Sequence, residues 1–226
     1  MATTHRVTAP EVAARKSDGT PLVMVTAYDA PSARTVDSAG ADLILVGDSV
    51  AMVVLGYDDT LQVTIDDMAH HVAAVARTQP RALIVGDLPW LSYHVSTDET
   101  VHNAARLIRS GAAAVKLEGG RKRIEAVQAI LDAEIPVMGH IGLTPQSIHA
   151  LGGFKVQGKE LEAAKTLTDD ACAAALEVGL PGNPYGFARR WLERRPALTL
   201  RQVDPIIRQL TLYRDLIDSK TQENQE

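Results

Sequence analysis

Residues 43–56 read LILVGDSVAMVVLG: an apolar run from Leu43 to Val46, a break at Gly47, then a carboxylate and a hydroxyl at Asp48 and Ser49. A strand without polar alternation is buried on both faces, which favours a parallel sheet covered by helices. Working outward, the same unit recurs. SAGADLILVGDS (38–49) and RSGAAAVKLEGG (109–120) are two copies, LDAEIPVMGH (131–140) is a looser third, and RALIVGDLPW (81–90) is its strand half. Strands are expected at 21–26, 42–47, 82–87, 113–118 and 136–140. The strand-end acids Asp48, Asp87 and Glu118 are 39 and then 31 positions apart. A βαβ unit takes roughly 30 residues or more, so each acid closes its own unit at the same end of the sheet. In a (β/α) barrel that end carries the active site.

The intervening helices are marked locally. Thr64 precedes Ile65, Met68, Val72 and Val75, an apolar stripe at helical spacing, and Asp67 three residues on completes a near capping box. Ser96 and Glu99 repeat the signal before VHNAARLIRS, with Gly111 as the stop. A further helix is expected over 121–133 with Ile124, Val127 and Leu131 on one face. After about residue 180 no buried strand is evident. Asp204 and Pro205 read as N-cap and N1 of a tail helix with Ile206, Leu210, Tyr213 and Ile217 on its apolar face. The expected architecture is an α/β TIM-type (β/α) barrel, incomplete, of about five βα units in a 1–180 domain, followed by a divergent helical tail at 181–226.

The 226 residues are 46% hydrophobic and 4% aromatic, so a real core is affordable only from Ala, Val, Leu and Ile. A net charge of −5 without a basic stripe disfavours nucleic acid as a partner. A single cysteine, Cys172, excludes an internal disulfide and fits a reducing compartment. No apolar run approaches the ~18 residues of a membrane span. The expectation is a soluble, cytoplasmic protein with no membrane association.

Three carboxylates at neighbouring strand ends suit Mg2+, which keeps waters and shares its shell with substrate oxygens. A metal held by Asp48, Asp87 and Glu118 would chelate a 2-oxo acid and stabilise an enolate. Lys116, two residues before Glu118, shares its face of the strand and is placed to neutralise a substrate carboxylate. A single acid after a strand is more often a helix N-cap, so the case rests on all three together. His140 closes the fifth strand, either as a hydrogen-bonded core histidine or as a site residue. His70, His71, His94, His102 and His149 read as surface or loop residues, and Cys172 as a small packing residue. GGFKVQG (152–158) is either a lid or a connector.

These segments resemble a known family. MVTAYDA, LILVGDSVAMVVLGYDDTLQVTIDDM, VGDLPW, GAAAVKLEGG and PVMGHIGLTPQSIHALGGFKVQGK, in order from about residue 5 to 165, are similar to ketopantoate hydroxymethyltransferase. The resemblance implies a (β/α) barrel related to the phosphoenolpyruvate- and pyruvate-binding barrels. It implies transfer of a hydroxymethyl group from the cosubstrate 5,10-methylenetetrahydrofolate to 3-methyl-2-oxobutanoate, giving 2-dehydropantoate on the route to pantothenate and coenzyme A. It implies Mg2+ associated with Asp48, Asp87 and Glu118, a substrate carboxylate held by Ser49 and Lys116, His140 lining the site, and a cytoplasmic homo-oligomer, commonly a decamer.

The family continues into three further strands, the sixth bearing an LE-x-VP segment whose glutamate is the proposed base. That segment is not found here, nor are the later IGIGAG-like and DGQ segments. LEVGLP (176–181) offers Glu177 as a candidate base at the wrong spacing, so the catalytic base is left unassigned. The alternative function is a catalytically impaired remnant that binds a 2-oxo acid or associates with a full-length paralogue.

Overall fold

A computed structural model describes residues 5–176. Five strands, β1 (Met24–Thr26), β2 (Leu43–Val46), β3 (Leu83–Asp87), β4 (Ala114–Glu118) and β5 (Val137–His140), form one sheet in the order β1-β2-β3-β4-β5. All neighbours are parallel. Each strand lies beside its predecessor in sequence, with helix between. A doubly wound sheet would reverse direction at a switch point. Monotonic order is that of a (β/α) barrel.

The helices are α1 (Ala9–Asp18), α2 (Ala30–Ser38), α3 (Val50–Val53), α4 (Ile65–Ala76), α5 (Thr97–Arg109), α6 (Ile124–Asp132), α7 (Ile148–Leu151) and α8 (Leu161–Leu176). The caps read from sequence are present. Thr64 and Asp67 bond reciprocally at the start of α4, and Ser96 accepts the Glu99 N–H at the start of α5. Gly111, just beyond α5, takes φ +112°, where a Cβ would lie 2.3 Å from that of Ala76.

Strand alternation makes two cores. Ile44, Val46, Ile84, Val115 and Leu117 face outward onto Met68, Val72 and Val75 of α4, Leu107 of α5, and Val127 and Ile130 of α6. Leu43, Leu83, Val85 and Ala114 face inward, where Val7 and Val12 close one end. Arg15 of α1 pairs at 2.8 Å with Asp42, beside the start of β2. The inward set continues along β3 and β4 into Asp87, Lys116 and Glu118. The same face therefore turns from apolar to charged as it approaches the carboxyl end.

Several expectations need correction. β1 is short and exposed, with Met24 at 42% and Val25 at 41%, because among the described residues it has a strand on one side only. The 121–133 helix opens with a 3-10 turn (Arg121–Arg123). Its buried face is Ala126, Val127 and Ile130, and Ile124 is half-buried. His71 is neither a loop nor an exposed residue: it lies half-buried in α4, where its Nδ1 bonds the Tyr28 carbonyl at 2.8 Å, whereas His94 is half-buried in the turn after β3, a loop residue as expected. His70, His102 and His149 are exposed as expected. Cys172 is buried in α8, and burial pushes its thiol up to about 11, in keeping with a packing residue. No helix among the described residues is long and apolar enough to cross a membrane. The 181–226 tail and Glu177 lie outside the described residues.

Candidate active site at the carboxyl ends of the strands

Gly47 follows β2, and a side chain there would crowd its neighbours. A Cβ would lie 3.0 Å from Ser49 Oγ and 3.4 Å from Asp87 Oδ2. The bare backbone lets the Asp48 N–H reach Asp87 Oδ2 at 3.1 Å, joining the ends of β2 and β3. In the sheet register Asp87 stands beside Lys116, and Glu118 beside His140. Lys116 Nζ lies 2.7 Å from Asp87 Oδ1. Apart from that ion pair, Asp87 Oδ1 takes no hydrogen bond.

None of the three acids caps a helix. Ser49 precedes α3, but its hydroxyl makes no cap; it meets Tyr28 Oη at 2.9 Å instead. The turn after Glu118 starts from Gly120 with no side-chain cap. Asp48, Asp87, Lys116 and Glu118 are all buried. A buried charge without a compensating partner costs several kcal/mol, on the order of 3–5 when a pair is broken. Placing four together therefore serves something other than local structure.

The electrostatics follow from that crowding. Burial, then the charge of Asp87, push the Asp48 carboxyl up to about 7, against the hydrogen bond from Gln146. Asp87 is also raised, by burial, against the opposing pull of Lys116. Burial works to lower Lys116, but Asp87, Asp48 and Glu118 outweigh it and hold the ammonium charged. One ammonium compensates one carboxylate. The other aspartate is left to bind a proton near neutral pH, or a further cation.

Glu118 is engaged elsewhere. Its Oε1 accepts from His140 Nδ1 at 3.1 Å and its Oε2 from the Gln146 N–H at 2.9 Å. Among the described residues no three His, Cys, Asp or Glu side chains converge as a ligand set. Asp48, Asp87 and Glu118 thus share one mouth, but Glu118 is turned sideways by two donors. Mg2+ commonly takes one or two carboxylates and completes its shell with water and substrate oxygens, and the aspartate pair fits that demand. His140 is half-buried on the same rim.

Sequence reasoning missed three residues here. Tyr28 holds the Ser49 hydroxyl. Gln146 bonds Asp48 Oδ2 at 2.7 Å across 98 positions of chain. Tyr93, buried beneath, donates to Gln146 Oε1 at 2.5 Å and accepts the Glu118 N–H at 3.1 Å. Gln146 lies inside GHIGLTPQS, but nothing local marks it as a partner of β2. Beside Tyr93, burial and the nearby Arg123 push His94 down to about 4, so it is neutral. The 152–158 loop leaves Phe154 and Val156 exposed at 52% and 66%.

Comparison with known proteins bears on the family and the fold. A family model described as ketopantoate hydroxymethyltransferase matches residues 6–180. A 3-methyl-2-oxobutanoate hydroxymethyltransferase of Ignicoccus hospitalis is 58% identical over 74% of this chain and 64% of its own length. That of Syntrophomonas wolfei is 59% identical over 74% and 61%, and that of Moorella thermoacetica 51% identical over 88% and 76%. The chain thus spans a little over three fifths of the length of the first two. Among solved structures, phosphonopyruvate hydrolase in complex with oxalate and Mg2+ aligns over 80% of this chain and 67% of its own, with TM-score 0.56 and 13% identity. The phosphoenolpyruvate phosphomutase of Streptomyces platensis subsp. rosaceus aligns over 73% and 61%, with TM-score 0.52 and 20% identity. At that identity the likeness bears on fold alone: the sheet is that of a TIM-type barrel.

Proposed function

The chain belongs to the ketopantoate hydroxymethyltransferase family, and on that premise we propose that it binds 3-methyl-2-oxobutanoate with Mg2+ and transfers to it a hydroxymethyl group from 5,10-methylenetetrahydrofolate, yielding 2-dehydropantoate for pantothenate synthesis. The observation that carries the proposal is the buried Asp48–Asp87 pair with Lys116 as its single counter-ion. Two carboxylates against one ammonium leave a cation-shaped deficit of charge at the barrel mouth.

Asp48 and Asp87 are the residues that would hold Mg2+. Bound there, the ion supplies Lewis-acid stabilisation of the negative charge that develops on the keto oxygen as C3 loses its proton. Lys116 opposes the burial that raises the Asp87 carboxyl, and adds positive potential toward the substrate carboxylate. Ser49, fixed by Tyr28, offers a hydroxyl to the same group. Glu118 belongs to the metal network at one remove: its Oε1 meets His140 Nδ1 at 3.1 Å and so fixes the imidazole on the rim of the site. No described side chain is assigned the C3 proton, and Glu177, the candidate from sequence, lies outside the described residues. Folate as cosubstrate, a cytoplasmic location and a homo-oligomer belong to the same proposal.

A second reading, a 2-oxo-acid binder without turnover that associates with another chain, is favoured by one observation. β1 exposes Met24 and Val25, the segment before it exposes Leu22 and Val23, and among the described residues the outer edge of β1 is unpaired.

Calorimetric titration of 3-methyl-2-oxobutanoate, with and without Mg2+, tests the shared core of both readings. Binding is expected only with Mg2+, and is expected to vanish in Asp87→Ala. Unchanged binding in that variant would remove the metal assignment.

A further inference from the structure

We infer that Gln146 is a positioning residue: its side-chain amide claims Oδ2 of Asp48 and so leaves Oδ1 as the oxygen offered to cation and substrate. This rests on the proposed cation site and adds what sets that site's geometry.

The amide is buried and every polar atom on it is used. Nε2 donates to Asp48 Oδ2 at 2.7 Å and to the Leu88 carbonyl at 2.9 Å. Oε1 accepts from Tyr93 Oη at 2.5 Å. These partners fix which way the amide points. A carboxylate and a carbonyl can only accept, so a flipped amide would set its oxygen against both. On the other side, Tyr93 Oη already accepts the Glu118 N–H at 3.1 Å, which turns its proton toward Gln146. The chain of donors runs from the β4 backbone through Tyr93 and Gln146 to the acid of β2; the Glu118 carbonyl, 3.3 Å from Tyr93 Oη, is the longer alternative for the tyrosine proton, against 2.5 Å to Gln146 Oε1.

Gln146 is the one donor that the described residues give to the Asp48 carboxylate. Without it, the buried Asp48 carboxylate is free to rotate beside Asp87, and either oxygen can face the mouth. The same residue's backbone N–H holds Glu118 Oε2. The loop after β5 therefore grips acids of both β2 and β4, and the site is set only when that loop is docked. Outer hydrogen bonds of this kind are typically worth about 10–100-fold in metal affinity.

The test is titration of the full chain with Mn2+, read by the free-ion electron paramagnetic resonance signal. The proteins are wild type, Gln146→Met, Tyr93→Phe and, as a stability control, Val75→Ala in the outer core. Met keeps length and volume but has no amide. The inference expects the Mn2+ dissociation constant to rise about tenfold or more in Gln146→Met. Tyr93→Phe, which keeps Gln146 and frees it to turn, should raise it by a smaller factor, about threefold. Val75→Ala should leave it unchanged, though the chain is less stable. Wild-type affinity in Gln146→Met overturns the inference and spares the cation site. Equal weakening in Val75→Ala overturns it too, because the effect would then be general loosening. Absence of Mn2+ binding by the wild type overturns the site itself, and the inference with it.

Discussion

Replacing Asp48 by Asn should make the metal-free protein more stable at pH 8, while abolishing its cation binding. Asp48 is 4% exposed, and burial with the neighbouring Asp87 lifts its carboxyl from an ordinary 3.8 to about 7. The folded state therefore holds this proton more tightly than the unfolded chain does. Stability from the group is full below about pH 4, falls as pH rises toward 7 and is flat beyond. Each tenfold in proton affinity is about 1.4 kcal/mol, so the penalty at pH 8 has a ceiling of about 4 kcal/mol. Relaxation and entry of water reduce the measurable part to about 2 kcal/mol. Asn stays neutral, keeps an acceptor for Gln146 and removes the repulsion from Asp87. Thermal melts in EDTA should place Asp48→Asn about 4–8 °C above wild type at pH 8 and level with it at pH 4. Excess Mg2+ should close or reverse the gap, since only the wild type gains from binding. A variant that melts at or below wild type at pH 8 in EDTA would refute the reasoning, because the carboxylate would then not be held at a cost.

Two further perturbations probe the frame around the site. Lys116→Met strands the Asp87 charge beside Asp48 and should cost about 3–5 kcal/mol at pH 8, and less at pH 5 as the acids take up protons; urea denaturation at the two pH values reads the difference, and a pH-independent loss would contradict it. Gly111→Ala drives a Cβ to 2.3 Å from that of Ala76 at a φ of +112°, and should cost about 2–3 kcal/mol by the same assay; a loss below about 0.5 kcal/mol would mean that α4 yields easily there.

Much of the frame was legible in the sequence because its causes are local. The apolar runs ending at Val46, Asp87 and Glu118 announce strands buried on both faces, and Thr64 with Asp67 announces the start of α4. The placement of the three acids at one end follows from topology alone. What the sequence does not show is pairing between units. Lys116 reads as a lysine placed to neutralise a substrate carboxylate, and the register adds what the sequence leaves open, a partner in Asp87 2.7 Å away. Glu118 reads as a third ligand, whereas His140 and the Gln146 N–H take both its oxygens. Gln146 and Tyr93 carry no periodic or capping signal at all, because their roles exist only once β2, β4 and the loop after β5 are side by side. The apolar Met24 and Val25 of β1 are exposed because, among the described residues, a strand lies on one side of β1 only.

The central claim is that the barrel mouth holds a cation and a 2-oxo acid poised for loss of the C3 proton. The most direct measurement is exchange of that proton of 3-methyl-2-oxobutanoate into D2O, followed by NMR, with and without Mg2+ and in the absence of folate. The account predicts Mg2+-dependent exchange above the buffer rate, lost in Asp87→Ala. No exchange from protein that is folded by circular dichroism and binds the 2-oxo acid with Mg2+ would contradict the enzyme reading and leave a binding site without turnover.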